Sequence, residues 1–131
     1  MKMLIVEDDF LSRKLMMACL GGHGTCDIAV NGEEAIAAFD QALFDNEPYD
    51  LITLDIMMPG MNGQDVLKHI RKTEESHRIH HDDAVRIIMT TALKDSNSVM
   101  EAFKSQCDAY LIKPIDISAF QNKLNILGLI P

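Results

Sequence analysis

The sequence predicts an α/β domain: an open, doubly wound parallel sheet of five strands, with five helices packed on its two faces. Three observations point there. Five short apolar runs are each followed by a polar turn and then by a segment with helical spacing. The runs are nearly continuous in Leu, Ile, Val and Met, as parallel strands covered on both faces are. The length, 131 residues, fits one such domain, and right-handed crossovers between successive strands wind the helices onto both faces.

The first run, MLIV (3–6), leads straight into Glu7, Asp8 and Asp9, and either aspartate can cap the helix that starts at Phe10. That helix extends to Leu20, where Gly21-Gly22 is expected to end it. CDIAV (26–30) is the most polar strand and suits an edge. Behind it Asn31 can cap, Glu33 and Glu34 fall in the positive first turn, and Ala35, Ile36, Phe39 and Leu43 form the apolar stripe. LITL (51–54) is the third strand, and a helix from about Gln64 carries Val66, Leu67 and Ile70. VRIIMT (85–90) is the fourth, followed by the stripe Val99, Met100, Phe103 and Cys107, with Asp95 or Ser96 as its cap. AYLI (109–112) is the fifth, and Ile117, Phe120, Leu124 and Leu127 recur at helical intervals behind Asp116. Between the third helix and the fourth strand, TEESHRIHHDD (73–83) sets His77, His80 and His81 among acids. Nothing in that pattern fixes the geometry a transition metal needs, so it reads as a solvated loop.

Hydrophobic residues make up 47% of the chain, enough for a full core without disulfide or metal staples. Twelve Lys and Arg against twenty Asp and Glu give a net charge of −8, which argues against a nucleic-acid backbone as partner. Cys19, Cys26 and Cys107 lack metal-ligand or redox spacing and read as small apolar thiols in a reducing compartment. The nine methionines read mainly as packing, although Met57, Met58 and Met61 follow Asp55 on a loop. Charged residues by position 7 leave no signal peptide, and no apolar run approaches the roughly 18 residues of a membrane span. A cytoplasmic protein without a membrane partner is expected.

Doubly wound sheets bind ligands outside the carboxyl ends of their strands. At those ends stand Glu7, Asp8 and Asp9 after the first strand, Asp55 after the third, Thr90-Thr91 at the fourth and Lys113 after the fifth. Carboxylates converging on one crevice repel one another, and a hard divalent cation relieves them. Mg2+ commonly takes one or two carboxylates together with phosphate oxygens and water. An ammonium and a hydroxyl at the same rim can hold further anionic oxygens. The set therefore describes a site for a phosphoryl group bridged to Mg2+, where positioning and charge neutralisation carry the chemistry. Asp55, alone at its strand end, fits the acceptor, because a carboxylate can attack phosphorus and form an acyl phosphate.

Four stretches in order, LIVEDD (4–9), LDIMMPGMNG (54–63), IIMTTA (87–92) and YLIKP (110–114), carry a resemblance that covers essentially the whole chain. The chain resembles the receiver domains of two-component response regulators, the CheY-like family. The resemblance implies the flavodoxin-like strand order 2-1-3-4-5 and Asp55 as phosphoacceptor. It implies Mg2+ held by Asp8 directly, by Glu7 mainly through bound water, by Asp55, and by the backbone carbonyl of Met57. Asp9 lies one position past the acidic pair and is not counted as a ligand. Thr91, which directly precedes Ala92, aligns as the switch hydroxyl, and Lys113 as the contact to the phosphoryl group. The bond before Pro114 is expected to be cis. Tyr110 stands at the position of the switch aromatic; a partly buried core tyrosine is the other reading. Met57 and Leu93, two positions after the acceptor and the switch hydroxyl, flank the path of an attacking water, and both are apolar, which implies slow autodephosphorylation.

The expected function is that of a stand-alone response-regulator receiver. It takes a phosphoryl group from a phosphohistidine of a sensor histidine kinase or a histidine phosphotransfer protein. It then switches a surface formed by the fourth helix, fifth strand and fifth helix toward a downstream protein target. Residues 1–131 form that single domain, and because the chain ends soon after the last helix no output domain is expected. The expected state is a monomer, or a dimer upon phosphorylation. It is expected to be a signalling protein and not an enzyme, beyond Mg2+-dependent self-phosphorylation and slow dephosphorylation. Among the alternatives, a haloacid dehalogenase-type phosphatase needs a second acid two residues after its nucleophile, where Met57 stands. A flavodoxin-like cofactor binder wants a Ser/Thr/Gly-rich loop where EDDF stands. A phosphate sink without output is the third.

Overall fold

The structure, a computed structural model, describes residues 1–92, 100–101 and 106–131. Strands β1 (Lys2–Val6), β2 (Thr25–Ala29), β3 (Leu51–Asp55), β4 (Arg86–Thr91) and β5 (Ala109–Ile112) form one sheet in the order β2-β1-β3-β4-β5, every pair parallel. The strand order reverses between β1 and β3, so the crevice for a ligand opens where these two strands end. The polar strand β2 is an edge, with Thr25, Asp27 and Ile28 exposed.

Helices α1 (Phe10–Leu20), α2 (Gly32–Phe44), α3 (Gly63–Ser76) and a C-terminal helix (Ile117–Ile126) cover both faces. On one face Phe39 of α2 and Val66, Leu67 and Ile70 of α3 pack on Leu4, Val6, Ile52, Leu54, Ile87 and Met89. On the other, Met16, Cys19 and Leu20 of α1 and Phe120 and Leu124 of the C-terminal helix pack on Met3, Ile5, Leu51 and Ile88. Alternation of side chains along each strand produces these two cores. Phe39 and Phe120 anchor them, and truncating either to Ala costs about 3–5 kcal/mol. Of the stripe expected after β4, Val99 and Phe103 lie outside the described residues, as do Asp95 and Ser96; Met100 is exposed and Cys107 buried.

α1 ends at Leu20 with Gly21 as its cap, as expected; with φ −58° that glycine is right-handed, so the stop does not use the left-handed glycine cap. One expectation is corrected. The segment 73–83 is not a loop throughout. α3 continues to Ser76, and Glu74 is buried at 5% exposure. The reason is an ionic network at the amino rim of the sheet. The Arg71 guanidinium donates to Glu74 Oε1 (2.7 Å), Asp108 Oδ2 (2.9 Å) and the carbonyls of Val85 (2.8 Å) and Gln106 (2.9 Å). Glu74 in turn accepts from Val85 N and Asp108 from Ile87 N, each at 2.8 Å. Buried charges persist when every lone pair and proton is matched in this way.

Candidate functional site

The ladder between β1 and β2 continues one residue past β1, because Glu7 N donates to Ala29 O at 3.0 Å. That bond carries the Glu7 side chain under the rim, where it is 1% exposed. Asp8 is exposed. Asp9 is the N-cap of α1, its carboxylate accepting from Ser12 N at 2.9 Å, and that hydrogen bond holds its carboxyl below the usual range. Of the two capping candidates Asp9 takes the role, which leaves Asp8 turned toward the crevice with the acids.

Asp55 is the last residue of β3 and is 3% exposed. It is buried because α3 starts directly against it. Asn62 caps that helix through Asp65 N (3.1 Å), Gly63 N donates to Ile56 O (2.9 Å), and a Cβ at position 63 would lie 2.2 Å from the Asp55 carbonyl oxygen. Only glycine permits this approach. Glu7, Asp8 and Asp55 each present a carboxylate oxygen within 4.8 Å of the others, the one such group of possible metal ligands among the described residues. Lys113, just after β5, ion-pairs with Glu7 and stands 3.4 Å from Asp55 Oδ2. Three carboxylates thus meet one ammonium. Burial first, and then the neighbouring Glu7, push the Asp55 carboxyl up to about 7, with Lys113 pulling the other way. Burial disfavours the charged form of Lys113, but Glu7 and Asp55 outweigh it and hold its pKa above the ordinary value.

Of the remaining expected residues, those described stand on β4, on β5 or on the loops that follow the strands. Thr91 ends β4 fully buried, and its carbonyl accepts from Lys113 N at 2.7 Å. Thr90 is the strand partner of Asp55. The Lys113–Pro114 bond is cis. Tyr110 is half-buried against the α2/α3 core. Met57 N donates to Asp55 Oδ1 at 3.3 Å while its side chain, 60% exposed, projects from the loop. Leu93 lies outside the described residues. Sequence reasoning passed over Gly63 and Arg13. The guanidinium of Arg13 reaches back from α1 to the carbonyls of Glu7 and Asp8, and its only sequence signal is a basic residue in the second turn behind an acidic strand end.

Oxygen-only, anionic and preformed, the donor set suits a hard divalent cation such as Mg2+ better than a thiophilic metal. With an ammonium beside it, the crevice can neutralise a phosphoryl group.

A parallel sheet of this order with an acidic crevice at its switch point defines the CheY-like class of α/β domain. The family model for the response regulator receiver domain matches residues 3–125, and the chain belongs to that family. Phosphorylation and Mg2+ binding are typical of it. The chain is 36% identical over 114 residues to the transcriptional regulatory protein ResD of Bacillus subtilis, covering 86% of this chain and 42% of ResD. It is 30% identical over 125 residues to the regulatory protein VanRB of Enterococcus faecalis, covering 95% of this chain and 50% of that one. The chain thus spans half or less of the length of these curated relatives. Among solved structures, a chain of the CheX–CheY–BeF3–Mg2+ complex from Borrelia burgdorferi superposes with a TM-score of 0.81 at 25% identity, over 96% of this chain and 88% of that one. The receiver domain of the Francisella response regulator 1452 gives 0.75 at 29%, over 96% and 94%.

Proposed function

We propose that this receiver accepts a phosphoryl group on Asp55 from a phosphohistidine of a histidine kinase or histidine phosphotransfer protein, and thereby switches a protein-binding surface. One observation carries the reading: the Asp55 carboxylate is buried at its strand end, grouped with Glu7 and Asp8 within 4.8 Å and 3.4 Å from the Lys113 ammonium. An oxygen of Asp55 attacks phosphorus in line, the P–N bond breaks, and its electron pair returns to the imidazole nitrogen. Glu7, Asp8, Asp55 and the Met57 carbonyl are the residues that would hold Mg2+, which when bound supplies charge neutralisation to the phosphoryl oxygens. Lys113 offers its ammonium to one of those oxygens. The Thr91 hydroxyl is drawn toward another, and Tyr110, two positions before Ile112 on the neighbouring strand, follows that displacement. Met57 and Leu93 leave an attacking water without a polar partner, so the acyl phosphate persists.

The reading extends to residues 1–131 acting as a monomeric, stand-alone domain in the cytoplasm. Its output would then be contact with another protein. The net charge of −8 favours a protein over a nucleic acid as the partner of this surface.

The test is direct. A small-molecule phosphodonor with Mg2+ should add one phosphoryl group to the intact chain, Asp55→Asn should add none, and Asp8→Asn should react more slowly. Full labelling of Asp55→Asn would overturn the assignment.

A further inference from the structure

An arginine on an exposed helical turn ordinarily sends its guanidinium into water. Arg13 does not. Its Nη1 bends back to donate to the carbonyl of Glu7 at 3.1 Å and to the carbonyl of Asp8 at 3.0 Å. Phe10, one turn earlier, stacks near the same group, with its ring centroid 5.7 Å from Cζ. These two carbonyls belong to the two peptide units on either side of the Asp8 Cα. Holding both fixes the backbone rotations of Asp8, and with them the direction in which its Cβ points. Among the described residues no hydrogen bond or ion pair holds the Asp8 carboxylate itself, so its aim depends on that backbone.

We infer that Arg13 is a positioning residue for the cation site: by clamping the peptides that flank Asp8, it aims this carboxylate into the crevice beside Glu7 and Asp55. The inference rests on the proposed Mg2+ reading. It also makes a claim that charge alone would contradict. A guanidinium near a divalent cation repels it, so an arginine acting only through its charge would weaken metal binding. An arginine acting by orienting a ligand strengthens it, as outer partners of metal ligands do.

Two variants of the full chain separate these roles. Arg13→Met removes charge and clamp while keeping an apolar stem over Phe10. Arg13→Lys keeps the charge but replaces the planar fork with a single ammonium nitrogen. Both residues are good helix formers, so α1 is retained, and urea unfolding in metal-free buffer verifies it. Mg2+ affinity is read from the amide resonances of Glu7 and Asp8. Arg13→Met should bind about tenfold more weakly and Arg13→Lys several-fold more weakly, at low and high salt alike. Equal or tighter binding by Arg13→Met, with Arg13→Lys matching the wild type, would overturn the inference. If the wild-type chain itself showed no Mg2+-dependent shifts, the metal reading beneath it would fail, a separate result from the same titration.

Discussion

At the amino rim of the sheet, Arg71 and Arg86 face Glu74 and Asp108; at the carboxyl rim, among the described residues, Glu7, Asp8 and Asp55 face the ammonium of Lys113, while the Arg13 guanidinium is spent on the carbonyls of Glu7 and Asp8. Both regions bury charge, but among the described residues only one balances it. The amino rim matches cations to anions and adds backbone partners for the remaining lone pairs, so it holds the ends of α3, β4 and β5 together and asks for no ligand. The carboxyl rim keeps a surplus of negative charge under partial burial. That surplus opposes folding and favours whatever cation can enter. The contrast separates a structural ion network from a candidate binding site using charge and burial alone.

Breaking the amino rim should have the largest effect on stability. Arg71→Met leaves Glu74 buried without its cation and Asp108 with only the Arg86 guanidinium at 3.5 Å, and should cost about 3 kcal/mol, read as a lower urea midpoint. Its folded fraction should still accept phosphate from a small-molecule donor, because the clamp lies at the opposite end of the strands. At the carboxyl rim, replacing Met57 with Asn and Leu93 with Glu supplies polar groups for an incoming water. Phosphate loss from the double mutant should accelerate roughly tenfold, equivalent to about 1.4 kcal/mol of barrier. Equal half-lives in the same Mg2+ buffer would mean these side chains only pack. The smallest effect belongs to Asp9, an acid in the same run as Glu7 and Asp8 but turned to a different use. Asp9→Ala should lower stability by about 1 kcal/mol through loss of the α1 cap and leave Mg2+ affinity unchanged.

The carboxyl rim was legible in the sequence because each of its groups stands where a buried apolar run stops, and a parallel sheet brings all such stops to one edge. The grouping of Glu7, Asp8 and Asp55 follows from that rule and the edge position of β2 from its polarity, whereas the strand order came only from the family resemblance. The amino rim was hidden. Its pairs join residues as far apart as Arg71 and Asp108, and only the i,i+3 spacing of Arg71 and Glu74 hints at them. That network is also why residues 73–76 remain helical where polarity suggested a loop. The Arg13 contacts were hidden for a related reason: a guanidinium that returns to backbone carbonyls leaves no pattern in side-chain types. The Gly21 geometry shows that a residue can mark a helix end without using the conformation that usually explains it.

The central claim, that excess negative charge at the carboxyl rim is discharged by a bound cation, is tested most directly by the stability of wild type and Asp55→Asn with and without Mg2+. Folded Asp55 releases its proton near pH 7, whereas in the unfolded chain it does so at about 4. Between those values the folded state holds a proton that the unfolded state has lost, so wild-type stability falls as pH rises from about 4 to about 7. Asparagine cannot ionise. In metal-free buffer at pH 8, Asp55→Asn should therefore melt roughly several °C above the wild type, and the gap should close toward pH 4. Added Mg2+ should raise the wild type far more than the variant, narrowing or reversing the order. A wild type that melts above Asp55→Asn without metal at pH 8, or that gains no more than the variant from Mg2+, would contradict the account.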